Sequence, residues 1–136
     1  MSLLLEVPIN RVSFGNVSFN IIRELHKREY PIRIFPIGEC DFSAFDINDG
    51  LKKYIEDSVN KRWDFLKKDV PTFKLWHLNG SENRKTKDQY LFTFYECNQP
   101  TAIETSIASA QDHVFFSSND ARDNFTRTGV KNTSFI

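Results

Sequence analysis

The chain is poor in sulfur and in backbone punctuation: two Cys, one Met, five Gly and five Pro stand among 136 residues. Cys40 and Cys97 lie far apart with no C-x-x-C spacing, which argues against a disulfide framework or a cysteine zinc site and predicts two reduced, buried thiols. Net charge is also missing. The 18 Lys and Arg balance the 18 Asp and Glu, so no overall field draws the chain to nucleic acid or to an anionic membrane. No apolar run approaches the roughly 20 residues of a membrane span. Residues 1–9 include Glu6 and Pro8 and lack a basic start, so they read as the first strand of a cytoplasmic protein rather than as a signal peptide. Sequons begin at Asn16, Asn79, Asn124 and Asn132; without a secretion signal they reflect composition alone.

What is present is an aromatic-rich globular composition. Hydrophobic residues make up 40% of the chain, enough to offset the entropy of folding, and thirteen Phe predict a core built of rings. The length suits one domain spanning residues 1–136, with no internal repeat or linker.

Short apolar runs alternate with stretches of helical period, the pattern of strand–helix–strand units on a mainly parallel sheet. The strands expected are 3–7, 32–36, 72–78, 90–95 and 113–117. A first helix follows a turn around Gly15, with Val17, Ile21, Ile22 and Leu25 on its stripe, and ends near Glu29 before Pro31. A long helix is expected from an Asn48 cap to Lys68. Thr101 and Glu104 have capping-box spacing and should open a short helix through about Ser109. A last helix runs from about Asn119 to Thr128 and stops at Gly129, leaving residues 130–136 as a tail. The fold expected is a Rossmann-like α/β domain of three layers, with about five or six strands. Such sheets bind ligands outside the carboxyl ends of their strands.

Five turns are therefore candidates. In the first, Gly15 and Asn16 sit at a helix start, where a glycine admits close backbone approach and free amides suit a phosphate. The single glycine falls short of G-x-G-x-x-G, and the simpler reading is a glycine turn capped by Asn16. In the fourth, alternation points Phe92 and Phe94 into the core, and Glu96 follows Thr93 at the strand's end with Asn98 beyond it. A carboxylate there can hold or deprotonate a hydroxyl, or it can serve the dipole of the Thr101 helix. His77 closes the third strand, where it could polarise a leaving group or simply pack beside Trp76. Ser117 and Ser118 read as a helix cap that also faces the crevice. His26 and His113 pair with nothing at metal spacing, so neither a metal nor a cofactor is predicted. Arg84, Lys85 and Lys87 belong to a charged surface loop.

Several segments together resemble the amino-terminal half of a group 1 glycosyltransferase of the GT-B fold. Gly15-Asn16-Val17-Ser18 ahead of Ile22-Arg23-Glu24-Leu25 is similar to the family's first loop and helix. Thr93-Phe94-Tyr95-Glu96, with Pro100 four residues on, resembles its threonine-methionine-aromatic-glutamate segment. Val114 to Ser118, leading to the Phe125–Val130 run, resembles its strand, serine turn and helix ending in glycine-valine. The family often has an acidic residue where Asn98 stands, and its first loop carries more glycine.

The resemblance implies transfer of a sugar from a nucleotide-sugar donor to an acceptor, in a cleft between two Rossmann-like halves. It implies donor-phosphate contacts from Gly15 and Asn16, catalytic roles on the acceptor side for His77 and Glu96, and a cleft lined by Thr93, Asn98, Ser117 and Ser118. It also implies a second, nucleotide-binding half beyond Ile136, without which the domain should catalyse little, and a partly apolar cleft wall through which copies could associate. The competing expectation is a stand-alone α/β binding module that uses the same sheet without transferase activity. A flavodoxin-like or response-regulator-like domain would want an acidic cluster or hydroxyl-rich loop after the first strand, and neither is there.

Overall fold

The computed structural model describes residues 2–66 and 69–136. The elements in chain order are β1 (Leu3–Val7), α1 (Ser13–Lys27), β2 (Ile32–Pro36), α2 (Asp49–Asn60), a 3-10 turn (Arg62–Phe65), β3 (Thr72–Leu75), β4 (Gln89–Thr93), α3 (Ala102–Ala110), β5 (His113–Phe116), α4 (Asn119–Arg127) and β6 (Thr133–Phe135). The strands form one all-parallel sheet in the order β2-β1-β3-β4-β5-β6, the Rossmann-like α/β architecture with helices on both faces.

Most boundaries follow from local chemistry. Asn48 accepts the Leu51 amide at 2.8 Å and opens α2. Thr101 and Glu104 form a complete capping box at the start of α3, and Ser118 caps α4 through the Ala121 amide. Gly129 takes φ +97, the left-handed conformation that ends α4 at little cost for a residue without Cβ. Other boundaries correct the expectation. The helix α1 starts at Ser13, so Gly15 lies inside its first turn rather than before it, and Val12 at the N-cap offers no side-chain hydrogen bond. The long helix ends at Asn60, where a 3-10 turn takes over, and its expected end at Lys68 lies outside the described residues. Strand β3 ends at Leu75 and β4 at Thr93, each shorter than expected. The tail contains the sixth strand, which pairs with β5. The stretch from Asn79 to Asp88 makes the parallel crossover as loop, without a helix.

Register assigns side chains to the two faces. Leu5, Phe73, Tyr90 and His113 are aligned across the sheet, as are Leu75, Phe92, Phe115 and Ser134; these point to the face that carries α1 and α2. There, Phe19 and Ile22 of α1 and Leu51 and Ile55 of α2 pack with Leu5, Ile34 and Leu75. The opposite face shows Leu91, Val114 and Phe116 to α3 and α4, whose Ile107, Ala108, Ala121 and Phe125 complete a second core. Over β1 and β2 that same face is covered by the 3-10 turn and the 79–88 loop: Trp63 meets the edge of Phe35 at 5.0 Å, and Lys85 lies 5.5 Å over its ring. Beneath them Lys74 is paired with Glu6 at 3.3 Å, both buried, and donates to the Gly80 carbonyl at 2.8 Å.

Cys40 and Cys97 are exposed, against the expectation of buried thiols. Both fall in connections, Cys40 after β2 and Cys97 after β4, and connections run over the surface because their backbone needs solvent.

Candidate functional site

Strand order reverses between β1 and β3, since β2 lies to one side of β1 and β3 to β6 lie to the other. Outside the carboxyl ends of these strands a doubly wound sheet leaves its crevice. Here that point is filled with rings. Phe14, in the first turn of α1, stacks on Phe94 with centroids 4.6 Å apart and planes 3° apart. His77 meets the Phe14 ring edge-on at 4.7 Å and Trp76 at 5.0 Å. The filling moves the open space along to the tips of β3 and β4, where a cavity of about 430 Å³ is lined by Trp76, His77, Thr93, Phe94, Tyr95 and Glu104, among others.

The polar groups of this cavity are arranged by the start of α3. Glu104 Oε1 accepts the Thr101 amide at 2.9 Å and the Tyr95 hydroxyl at 3.1 Å, so the carboxylate that closes the capping box also fixes the phenol. Partial desolvation, and then the hydrogen bond to Glu104, push the Tyr95 hydroxyl up to about 12. Tyr95 is therefore a hydrogen-bond donor throughout the physiological range, not a base. His77 is exposed at the mouth of this cavity.

Two of the residues expected at a site, His77 and Thr93, line this cavity together, Thr93 buried and His77 exposed. The others fall elsewhere. Gly15 is buried, and a Cβ there would overlap the backbone and side chain of Asn10; its lack of a side chain makes room for the 9–12 turn, not for a ligand. Asn16 does not cap α1: its side chain donates to the Arg11 carbonyl at 3.1 Å. Glu96 and Asn98 are exposed in the connection beyond β4. Ser118 is spent on the α4 cap, and Ser117 is exposed beside it. Tyr95 and Glu104 are the residues that sequence reasoning missed. The capping box located Glu104, but nothing in its spacing tells that a ring nine positions earlier leans on it.

Among the described residues no group of three or more His, Cys, Asp or Glu could hold a metal, and no helix is long and apolar enough to cross a membrane. Comparison with protein-family models, with curated proteins and with solved structures found no match for this chain.

Proposed function

We propose that the chain is the acceptor-side domain of a glycosyltransferase that uses a nucleotide-sugar donor, with the cavity at the tips of β3 and β4 as the acceptor contact. The observation that carries the reading is the lining of that cavity. Aromatic faces at Trp76 and Tyr95 suit the apolar side of a sugar ring, while a fixed phenol, a carboxylate and an exposed imidazole suit its hydroxyls. The order of the sequence segments that resemble the family and the all-parallel sheet support the same reading.

In this reading His77 orients or deprotonates the acceptor hydroxyl, and Glu96 approaches the reacting centre from the connection beyond β4. Thr93, Asn98, Ser117 and Ser118 border the acceptor. The resemblance would bring the donor's diphosphate to the start of α1, but Asn10 fills the space beside Gly15 and Asn16 is bonded to the Arg11 carbonyl, so neither residue is given a donor contact. Turnover requires a second, nucleotide-binding domain, so acceptor affinity is the property expected of this chain alone. Two unpaired thiols fit a reducing compartment such as the cytoplasm.

The test is fluorescence of Trp76 in a Trp63→Phe background, titrated with a panel of mono- and disaccharides and with UDP-sugars. Saturable binding of sugars in the millimolar range, weakened about tenfold by His77→Ala, is the expected result. No response to any sugar would defeat the reading. A second reading, a stand-alone binding module, is favoured by one observation: Asn10 fills the gap that Gly15 leaves, closing the first turn to a phosphate. Binding of peptides in place of sugars would select it.

A further inference from the structure

The ends of α1 and α2 meet at the amino end of β2, on the opposite rim of the sheet from the crevice. Helix α1 is closed by its own backbone: Glu29 takes φ 52, its amide returns to the His26 carbonyl, and the Tyr30 amide returns to the Leu25 carbonyl, each at 3.0 Å. Helix α2 is closed by the Lys61 amide on the Asp57 carbonyl and by Arg62 Nη1 on the Val59 carbonyl at 2.8 Å. Between the two ends lies a cavity of about 600 Å³, within the range of small-molecule sites and larger than the one at the tips of β3 and β4.

One wall is aromatic and fixed. The Tyr54 hydroxyl donates to the Tyr30 carbonyl at 2.7 Å, and the His26 ring lies 4.8 Å from the Tyr54 ring. Burial pushes the Tyr54 hydroxyl up to about 12, so that bond persists across the physiological range. Another part of the lining is cationic, with Lys27, Arg33 and Lys61. Cations at helix ends commonly serve the terminal carbonyls, but here those carbonyls are taken by backbone amides and by Arg62. Among the described residues the Lys61 ammonium has no hydrogen bond or ion pair. Arg33 Nε is buried without a hydrogen-bond partner, its nearest carboxylate being Asp64 at 3.7 Å. The remaining charges are the carboxylates of Glu29 and Asp57, exposed and in no ion pair among the described residues.

This mixture selects the ligand's chemistry. A bare anion would meet the carboxylates as well as the cations, and a cation would meet three positive side chains. A molecule with a flat ring, sugar hydroxyls and one anionic end uses all of them, since carboxylates accept hydrogen bonds from a ribose diol. We propose that this cavity binds a nucleoside monophosphate, with the base beside the His26 and Tyr54 rings, the ribose hydroxyls toward Asp57 or Glu29, and the phosphate on Lys61 and Arg33. The site is separate from the acceptor cavity and stands independently of the glycosyltransferase reading.

The probe is adenosine 5′-monophosphate, titrated into the isotopically labelled chain and read by amide and imidazole chemical shifts, with adenosine and inorganic phosphate as controls. Saturable shifts at residues 26–33 and 54–61 are expected, with a Kd below about 1 mM and binding about tenfold weaker for either control. Lys61→Ala and Arg33→Gln should each weaken the nucleotide about tenfold and leave adenosine unchanged. Lys61 is exposed and its ammonium is bonded to nothing among the described residues, so Lys61→Ala carries the test if Arg33→Gln does not fold. Equal binding of adenosine and the nucleotide, phosphate alone binding as tightly, shifts centred on the tips of β3 and β4, or no saturation by about 10 mM would each overturn the proposal. So would a Lys61→Ala chain that binds the nucleotide as the parent does.

Discussion

The two faces of the sheet are helical at opposite corners, and each treats its other corner in a different way. On the face of α3 and α4, the strands β1 and β2 lack helices but are roofed by a 3-10 turn and a loop, over a buried Glu6–Lys74 pair and the Phe35–Trp63 ring contact. On the face of α1 and α2, no helix among the described residues packs over β5 and β6, and the rings of Tyr90, Phe92 and Phe115 lie partly open. Covering a sheet with loop brings backbone carbonyls such as that of Gly80 onto it, and these need a donor; Lys74 supplies one, and Glu6 then balances the lysine. Leaving the sheet bare avoids that demand but keeps apolar surface in contact with water. One corner is thus closed by polar bookkeeping inside the chain, and the other is left partly open.

Adjacent residues of β5 break the comparison most sharply. Phe116 is fully buried in the α3 and α4 core, stacked on Phe125 at 4.9 Å, whereas Phe115 points to the partly open side. Phe116→Ala should cost about 4 kcal/mol in urea unfolding, and Phe115→Ala about 1 kcal/mol or less. Equal costs would mean that both faces are packed alike. The roofed corner is next. Glu6→Ala leaves the buried Lys74 ammonium without its carboxylate, although still bonded to the Gly80 carbonyl, and should cost about 3 kcal/mol, while the double change Glu6→Leu with Lys74→Met should recover most of it. A double variant no more stable than the single one would show that the pair holds the roof by more than charge balance.

The smallest effect concerns acid. Asp112 is held below the ordinary carboxylate range, first by the Gln89 amide at 2.7 Å and then by the Arg84 guanidinium, which ties the 79–88 loop to the start of β5. A carboxyl with a lowered folded value adds stability that is present above its unfolded value near 4 and is lost as the pH falls through the folded one. Stability should therefore decline below about pH 4, and Asp112→Asn should flatten that decline while lowering stability at pH 7. An unchanged acid profile in Asp112→Asn would assign the loop's anchoring to its other hydrogen bonds.

Sequence pattern revealed the architecture where a side chain does local work. Asn48, Thr101, Glu104, Ser118 and Gly129 each act on backbone within a few residues, and the elements they bound are where the pattern put them. It was silent where the determinant is distant or absent. Val12 caps α1 without a side-chain bond, so nothing marked the helix start at Ser13. Strand β6 has three residues, Thr133, Ser134 and Phe135, and owes its existence to the edge of β5. The site was half legible for the same reason. His77 and Thr93 could be placed by strand-end position, whereas the Tyr95–Glu104 bond and the Asn10 backbone beside Gly15 are contacts that only the folded chain makes.

The junction between β1 and β3 also governs the order in which the sheet can assemble. Paired residues in β3 and β4, such as Thr72 and Gln89, are 17 positions apart, whereas Leu4 and Thr72 across the junction are 68 apart. Fourfold longer closure costs about 1.2 kcal/mol more in chain entropy. The β1–β2 pair and the β3–β4–β5 ribbon can each close locally, and the long-range seam joins them afterwards. Phe14 reaches Phe94 and His77 across that seam, so the ring-filled floor of the crevice is among the last parts of the molecule to come together.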